Sequence, residues 1–219
     1  MKSPSRLLGY ALGILLTFNL SMMVSTQSVA DASYPAAGTY RLDRIQHASS
    51  GLVLEDNNWR PHLLSSYFSG QITLFSFFYA MCRDPLGCPA AWSAFEEVKS
   101  RIEKDPGLHG RVRLVFLSLD PRTDTPEQLS FFRGKSTTDV PWNFLTTWSR
   151  FFLQPILENM GIVTVPDRDE NGKRTGQINH MLKVFLIDKD GWVREIYTTS
   201  FLNPDVIMND IRTLEMETR

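Results

Sequence analysis

Thiols are scarce in this 219-residue chain: Cys82 and Cys88 are its two cysteines, so at most one internal disulfide can form. Clustered positive charge is missing as well. The 23 Lys and Arg stand against 24 Asp and Glu, a net charge of -1, with no basic stripe or Arg-rich tract. That argues against a nucleic-acid partner. Beyond the first thirty residues no apolar run is long enough to cross a bilayer. There is no internal repeat and no low-complexity tract, which excludes a solenoid.

The N-terminus is the exception. Lys2 and Arg6 supply a positive start, Leu7–Leu20 an apolar core and Ser28-Val29-Ala30 a small-residue cleavage site. This is the layout of an export signal cut before Asp31. The alternative is a retained anchor, with the apolar stretch running on to Val24 through Asn19 and Ser21. Both place the body of the chain outside the cytoplasm, periplasmic or membrane-anchored facing the periplasm, where thiol oxidation is available. Without residues 1–30 the balance becomes 21 basic to 24 acidic residues, a net charge near −3. About 190 residues of ordinary apolar content then suit one domain with a real core. The expected organisation is 1–30 signal or anchor, 31–50 flexible leader and 51–219 folded domain.

Within the domain, Leu52–Glu55 and Leu63–Tyr67 read as edge strands or loop. Ile72–Tyr79 is apolar on both faces, which marks a central strand. Pro89 opens a helix carrying Trp92, Phe95, Val98 and Ile102 on one face, and Pro106-Gly107 stops it. Val112–Leu119 is a second buried strand. A helix starts at Thr125, where Thr125 and Gln128 have capping-box spacing around Pro126. Trp142–Leu145 suits a short strand and Arg150–Met160 a helix. Val163–Gln177 is polar and reads as a surface loop. Leu182–Ile187, a turn at Asp188–Gly191 and Trp192–Tyr197 form a hairpin, and a final helix begins at Asn203-Pro204. In order, these elements make an α/β thioredoxin-like fold, a central mixed β-sheet flanked by helices. The cysteines lie at the C-terminal end of its first core strand.

The two thiols stand six positions apart, with five residues between them; on a continuous helix that is a rotation of about 600°, so the loop is not helical throughout. Asp84-Pro85-Leu86-Gly87 suits a type I turn that brings the sulfurs together. Three readings remain open for the pair. A structural disulfide closing so short a loop is worth roughly 2–2.5 kcal/mol. Thiols at a helix N-terminus have depressed pKa values, which favours redox exchange. Two sulfurs with an imidazole suit copper. Among the histidines, His109 lies on the side away from the cysteines, and His47 and His62 fall in the weakly patterned N-terminal part. His180 precedes a strand, in the loop such a sheet turns toward the cysteines.

The stretch Phe75–Pro89, the block Val115–Glu127 with Asp120-Pro121-Arg122-Thr123-Asp124-Thr125-Pro126, and Asn179-His180 followed by Val184–Asp188 resemble the Sco/SenC family of copper-binding assembly proteins. The resemblance covers most of the chain beyond residue 50. It implies a thioredoxin-like fold, copper as the metal, and Cys82, Cys88 and His180 as its ligands. It implies a metallochaperone role in building a cuproenzyme site such as that of cytochrome c oxidase. Its partners would be a cytochrome oxidase subunit or other cuproenzyme and a reducing thioredoxin-like protein. In the family three residues separate the cysteines, which puts both sulfurs on one helical face; here there are five, and the two extra residues fall inside the loop. Asp120 and Asp124 belong to the matching block and are expected near the site. Alternation turns Met81 away from Cys82, toward the core. Trp142, Phe144, Trp148, Phe151 and Phe152 read as core or as a docking surface, core being favoured. The rival function is a thiol–disulfide oxidoreductase using Cys82 and Cys88 in turn.

Overall fold

A computed structural model describes residues 34–133 and 140–217. The signal or anchor expected at 1–30 lies outside these residues. Among them, no helix is long and apolar enough to cross a membrane.

Among the described residues there are ten strands and four α-helices. In order they are β1 (Gln46–His47), β2 (Leu52–Glu55), β3 (Asn58–Leu63), β4 (Ile72–Phe78), α1 (Cys88–Glu103), β5 (Val112–Ser118), α2 (Pro126–Arg133) and β6 (Trp142–Thr146). There follow α3 (Arg150–Asn159), β7 (Thr164–Arg168), β8 (Arg174–His180), β9 (Lys183–Ile187), β10 (Trp192–Thr198) and α4 (Pro204–Glu217). Eight strands form one mixed sheet in the order β1-β10-β9-β4-β5-β6-β2-β3, and β7 and β8 form a separate hairpin.

All seven residues of β4 are buried, as a strand covered on both faces requires. It pairs parallel with β5 and antiparallel with β9, so Phe75 stands between Val115 and Phe185. β5 continues parallel to β6, which places Phe116 beside Phe144. Helix α1 turns Ala91, Phe95, Val98 and Ile102 inward, the spacing of one helical face. Phe95 stacks on Phe116 at 4.4 Å between centroids, and Trp92 lies against Trp142 at 5.1 Å and Phe144 at 5.4 Å. Aromatic rings thus pave the floor beneath the start of α1, the end that carries Cys88. The expected aromatic cluster divides: Phe144 is buried, whereas Trp148 and Phe151 are exposed.

Two expectations are corrected. Val163–Gln177 is not a loop but supplies β7 and most of β8. The hairpin is mostly polar and exposed, its apolar residues Val165, Pro166 and Ile178 too few to make an apolar alternation, and its turn is built by Asp169, whose carboxylate accepts from the amides of Asn171 and Lys173. The leader is also not free from residue 34 onward. Gly38 donates to Thr213 at 2.9 Å, Asn209 donates to the Pro35 carbonyl at 3.0 Å, and Ile45 and Ala48 pair with Val193 and Gly191. Arg194 completes the fastening, with its guanidinium on Asp188, Glu217 and the Leu42 carbonyl. These links tie 34–48 to β10 and α4.

Candidate metal centre

The end of β4 is held by a buried carboxylate. Asp124 accepts from the Ser118 hydroxyl at 2.5 Å and from the Ala80 amide at 3.2 Å. Burial pushes its carboxyl up to about 6 against the pull of those hydrogen bonds. Asp124 is thus a fastener for the strand end, one residue short of the cysteine loop. Asp120 turns elsewhere, to line a neighbouring cleft.

Past Ala80 the loop folds as its residues dictate. The Cys82 amide donates to Tyr79, the Gly87 amide closes the expected turn on the Asp84 carbonyl at 3.0 Å, and the Asp84 carboxylate accepts from Leu86. A Cβ at Gly87 would approach Asp84 to 3.3 Å, a close fit that favours glycine there. Helix α1 then begins at Cys88 with Pro89 in its first turn.

Both cysteines are free thiols, Cys82 partly exposed and Cys88 buried. Burial pushes the Cys88 thiol well up, and its hydrogen bond with Cys82 and the charge there add to this. Backbone donors at Tyr79 and Cys88 itself pull the other way and lose. The expected lowering at a helix N-terminus is overturned for Cys88, because removal from water outweighs the helix dipole. A cleft of about 320 Å³, lined by Tyr79, Ala80, Trp92 and Phe132 among others, opens over the two sulfurs.

His180 is the last residue of β8 rather than a loop residue. Its Nδ1 lies 3.1 Å from the Ile178 carbonyl, which suits an N–H at that atom. The other ring nitrogen, Nε2, is buried with no hydrogen-bond partner among the described residues. The ring sits edge-on to Tyr79 at 6.1 Å between centroids. Tyr79 in turn accepts from the Ile178 amide at 3.1 Å, and burial with both neighbouring thiols lifts its phenol to about 12.

The residue that joins these parts, Gln177, was not singled out from the sequence. Its Nε2 donates to the Met81 carbonyl at 2.8 Å, and its Oε1 accepts from the Arg83 amide at 3.1 Å and the Tyr79 hydroxyl at 3.3 Å. One side chain on the strand of His180 therefore grips the loop on both sides of Cys82. Among the described residues no three His, Cys, Asp or Glu side chains are drawn together closely enough to hold a metal ion. The thiol pair and the imidazole face the same end of the sheet without sharing one coordination sphere.

The remaining candidates lie elsewhere. His47 stacks on Trp192 at 3.6 Å, His62 contacts Asn58 at 3.2 Å, and His109 contacts the Glu103 carbonyl at 3.0 Å. Met81 and Met181 are 49% and 66% exposed. The expectation that Met81 packs in the core fails because β4 ends at Phe78, so strand alternation does not reach residue 81.

The sequence profile of SCO1/SenC proteins matches residues 62–215. The chain belongs to the SCO1/SenC family. A SCO1 protein homolog of Bacillus subtilis is 24% identical over 148 residues, spanning 66% of this chain and 71% of its own. ScoI of Bradyrhizobium japonicum, solved with copper bound, has a TM-score of 0.61 at 20% identity, over 77% of this chain and 99% of its own. BsSco, in which a disulfide switch has been identified, is a member of the Sco family of cytochrome c oxidase assembly proteins. It has a TM-score of 0.60 at 20% identity, over 80% of this chain and 97% of its own. The SCO1/SenC fold is thioredoxin-like, and the mixed sheet described above is that fold.

Proposed function

We propose that this protein is an exported copper-binding assembly factor that holds copper through Cys82, Cys88 and His180. Its cargo goes to, or prepares, a cuproenzyme site such as that of cytochrome c oxidase. The observation that carries the reading is the buried, unpartnered Nε2 of His180, on a strand bonded through Gln177 to the loop of two free thiols. A buried acceptor without a partner is costly, and a soft metal ion relieves that cost. Thiolates select Cu(I), and imidazole accommodates Cu(II) as well. Copper in the ScoI relative and membership of BsSco among cytochrome c oxidase assembly proteins support the same assignment.

This chain's residues divide the work. Cys82, partly exposed, meets incoming copper first, and Cys88 supplies a second sulfur from the rigid start of α1. The Ile178 carbonyl holds the proton on His180 Nδ1, which leaves Nε2 free to bind metal. In this reading residues 1–30 carry the protein out of the cytoplasm, and the thioredoxin-like domain, to which 34–48 are fastened, presents the site. Anaerobic titration of the reduced protein should end at one copper per chain, with a thiolate-to-Cu(II) charge-transfer band. His180→Ala should weaken that band and Cys82→Ser abolish it. Absence of both band and stoichiometric copper would sink the reading.

The contrast between a partly exposed and a buried thiol favours a second activity, thiol–disulfide exchange. The Cys82 thiolate attacks a partner disulfide, forms a mixed disulfide and releases one partner thiol. Cys88 then loses its proton and displaces the second partner thiol, leaving a Cys82–Cys88 disulfide and a partner reduced by two electrons. A reducing thioredoxin-like protein would restore the thiols. Disulfide turnover that copper does not affect would place this activity first.

A further inference from the structure

Beside the metal centre, on the far wall of the hairpin, lies a second cleft of about 370 Å³. Its floor is apolar, with Leu119, Pro121, Pro166 and Ile178, and its rim carries three guanidinium groups, Arg122, Arg150 and Arg174, against one carboxylate, Asp120. In a chain whose net charge is -1, this concentrates positive charge at one place. Arg150 is oriented by Gln154 at 3.0 Å and Thr164 at 2.5 Å, both neutral, so its charge is positioned but not cancelled. No carboxylate among the described residues is ion-paired with Arg122, Arg150 or Arg174. Above Gly176 a Cβ would meet nothing within 4 Å, so the hairpin wall leaves room for a peptide backbone.

We propose that this cleft is a docking subsite for an acidic segment of the protein that exchanges copper with the Cys82–Cys88–His180 centre. The inference rests on that centre being a copper site and adds the chemistry of its partner. Guanidinium groups bind carboxylates through paired, charge-assisted hydrogen bonds. The apolar floor accepts the methylene stem of a glutamate, which a bare inorganic anion does not offer. Gln177 and Ile178 line the cleft, and Gln177 also grips the Cys82 loop. An occupant of the cleft therefore lies against the strand that ends in His180.

The test uses the reduced, metal-free protein and calorimetric titration with a short Glu/Asp-rich peptide, its Gln/Asn counterpart and inorganic phosphate. The acidic peptide should bind, and Arg122→Gln with Arg174→Gln should weaken it about tenfold, the loss of about 1.4 kcal/mol. Added salt should weaken binding further, because the arginines are exposed. Equal binding of the amide peptide, equal binding of phosphate, or no effect of the double substitution would overturn the proposal. Copper titration of the same variants separates the two readings. Peptide binding by a protein that takes up no copper would leave the subsite standing and remove the copper role. Full copper uptake without peptide binding would do the reverse.

Discussion

Replacing Gln177 by Leu should loosen the Cys82 loop without unfolding the domain. The side chain makes three hydrogen bonds of 2.8, 3.1 and 3.3 Å to the residues around Cys82. Each is worth about 1 kcal/mol net, and water replaces part of that at a half-buried position, so the loop loses about 1.5 kcal/mol. That corresponds to about tenfold more frequent opening. Alkylation of the reduced, metal-free protein near neutral pH reads this opening at Cys82. Cys88 does not compete, because it is buried and its thiol is held protonated. The alkylation rate should rise about tenfold in Gln177→Leu, and the Arg83 amide should exchange faster by a similar factor. Gln177→Glu, which still accepts from Arg83 and Tyr79 but cannot donate to Met81, should fall between. Rates within twofold of wild type in a folded Leu variant would refute the reasoning, since the three bonds would then carry no load.

Asp124 makes stability depend on pH in a defined direction. Its folded-state pKa is raised from 3.8 to about 6, so its favourable contribution is full below 3.8 and is lost as pH rises through 6. Asp124→Asn does not ionise, and relative to wild type it should gain about 3 kcal/mol between about pH 3 and about pH 7. Urea unfolding across that range checks this, and a pH-independent difference would contradict it. Arg194→Met should cost about 3 kcal/mol, because it leaves the buried Asp188 carboxylate without its counter-charge, held by the amides of Asp190 and Trp192, and releases the Leu42 carbonyl. Limited proteolysis should then cut within residues 34–44 faster than in wild type.

What the sequence made legible follows from where the apolar signal is strong. Ile72–Phe78, Val112–Ser118 and Lys183–Ile187 are central strands with no polar face to confuse the reading, and the expected bounds match within a residue or two. Pro89 and Pro126 marked helix starts because proline is tolerated in a first turn. The β7–β8 hairpin left no such mark, since its strands alternate nothing, and its misreading hid Gln177. The turn at Asp84–Gly87 was legible from its residue types. The raised Cys88 thiol was not, because the local rule for helix N-termini omits the burial that only tertiary packing reveals. Met81 misled for a related reason: its spacing was read as strand where the strand had already ended.

The antiparallel pairing of β9 with β4, Ser76 opposite Val184, sets when the segment of His180 joins the cysteine loop. Cys82 and His180 are nearly half the chain apart, and this pairing brings the entry of β9 to the end of β4. Closing so long a span is slow relative to local helix formation. A chain still emerging from synthesis therefore has its two thiols before it has the imidazole. On the proposed copper reading, the sulfurs are open during that interval to oxidation or to metals that need no histidine, and the vulnerable period ends when the sheet zips shut.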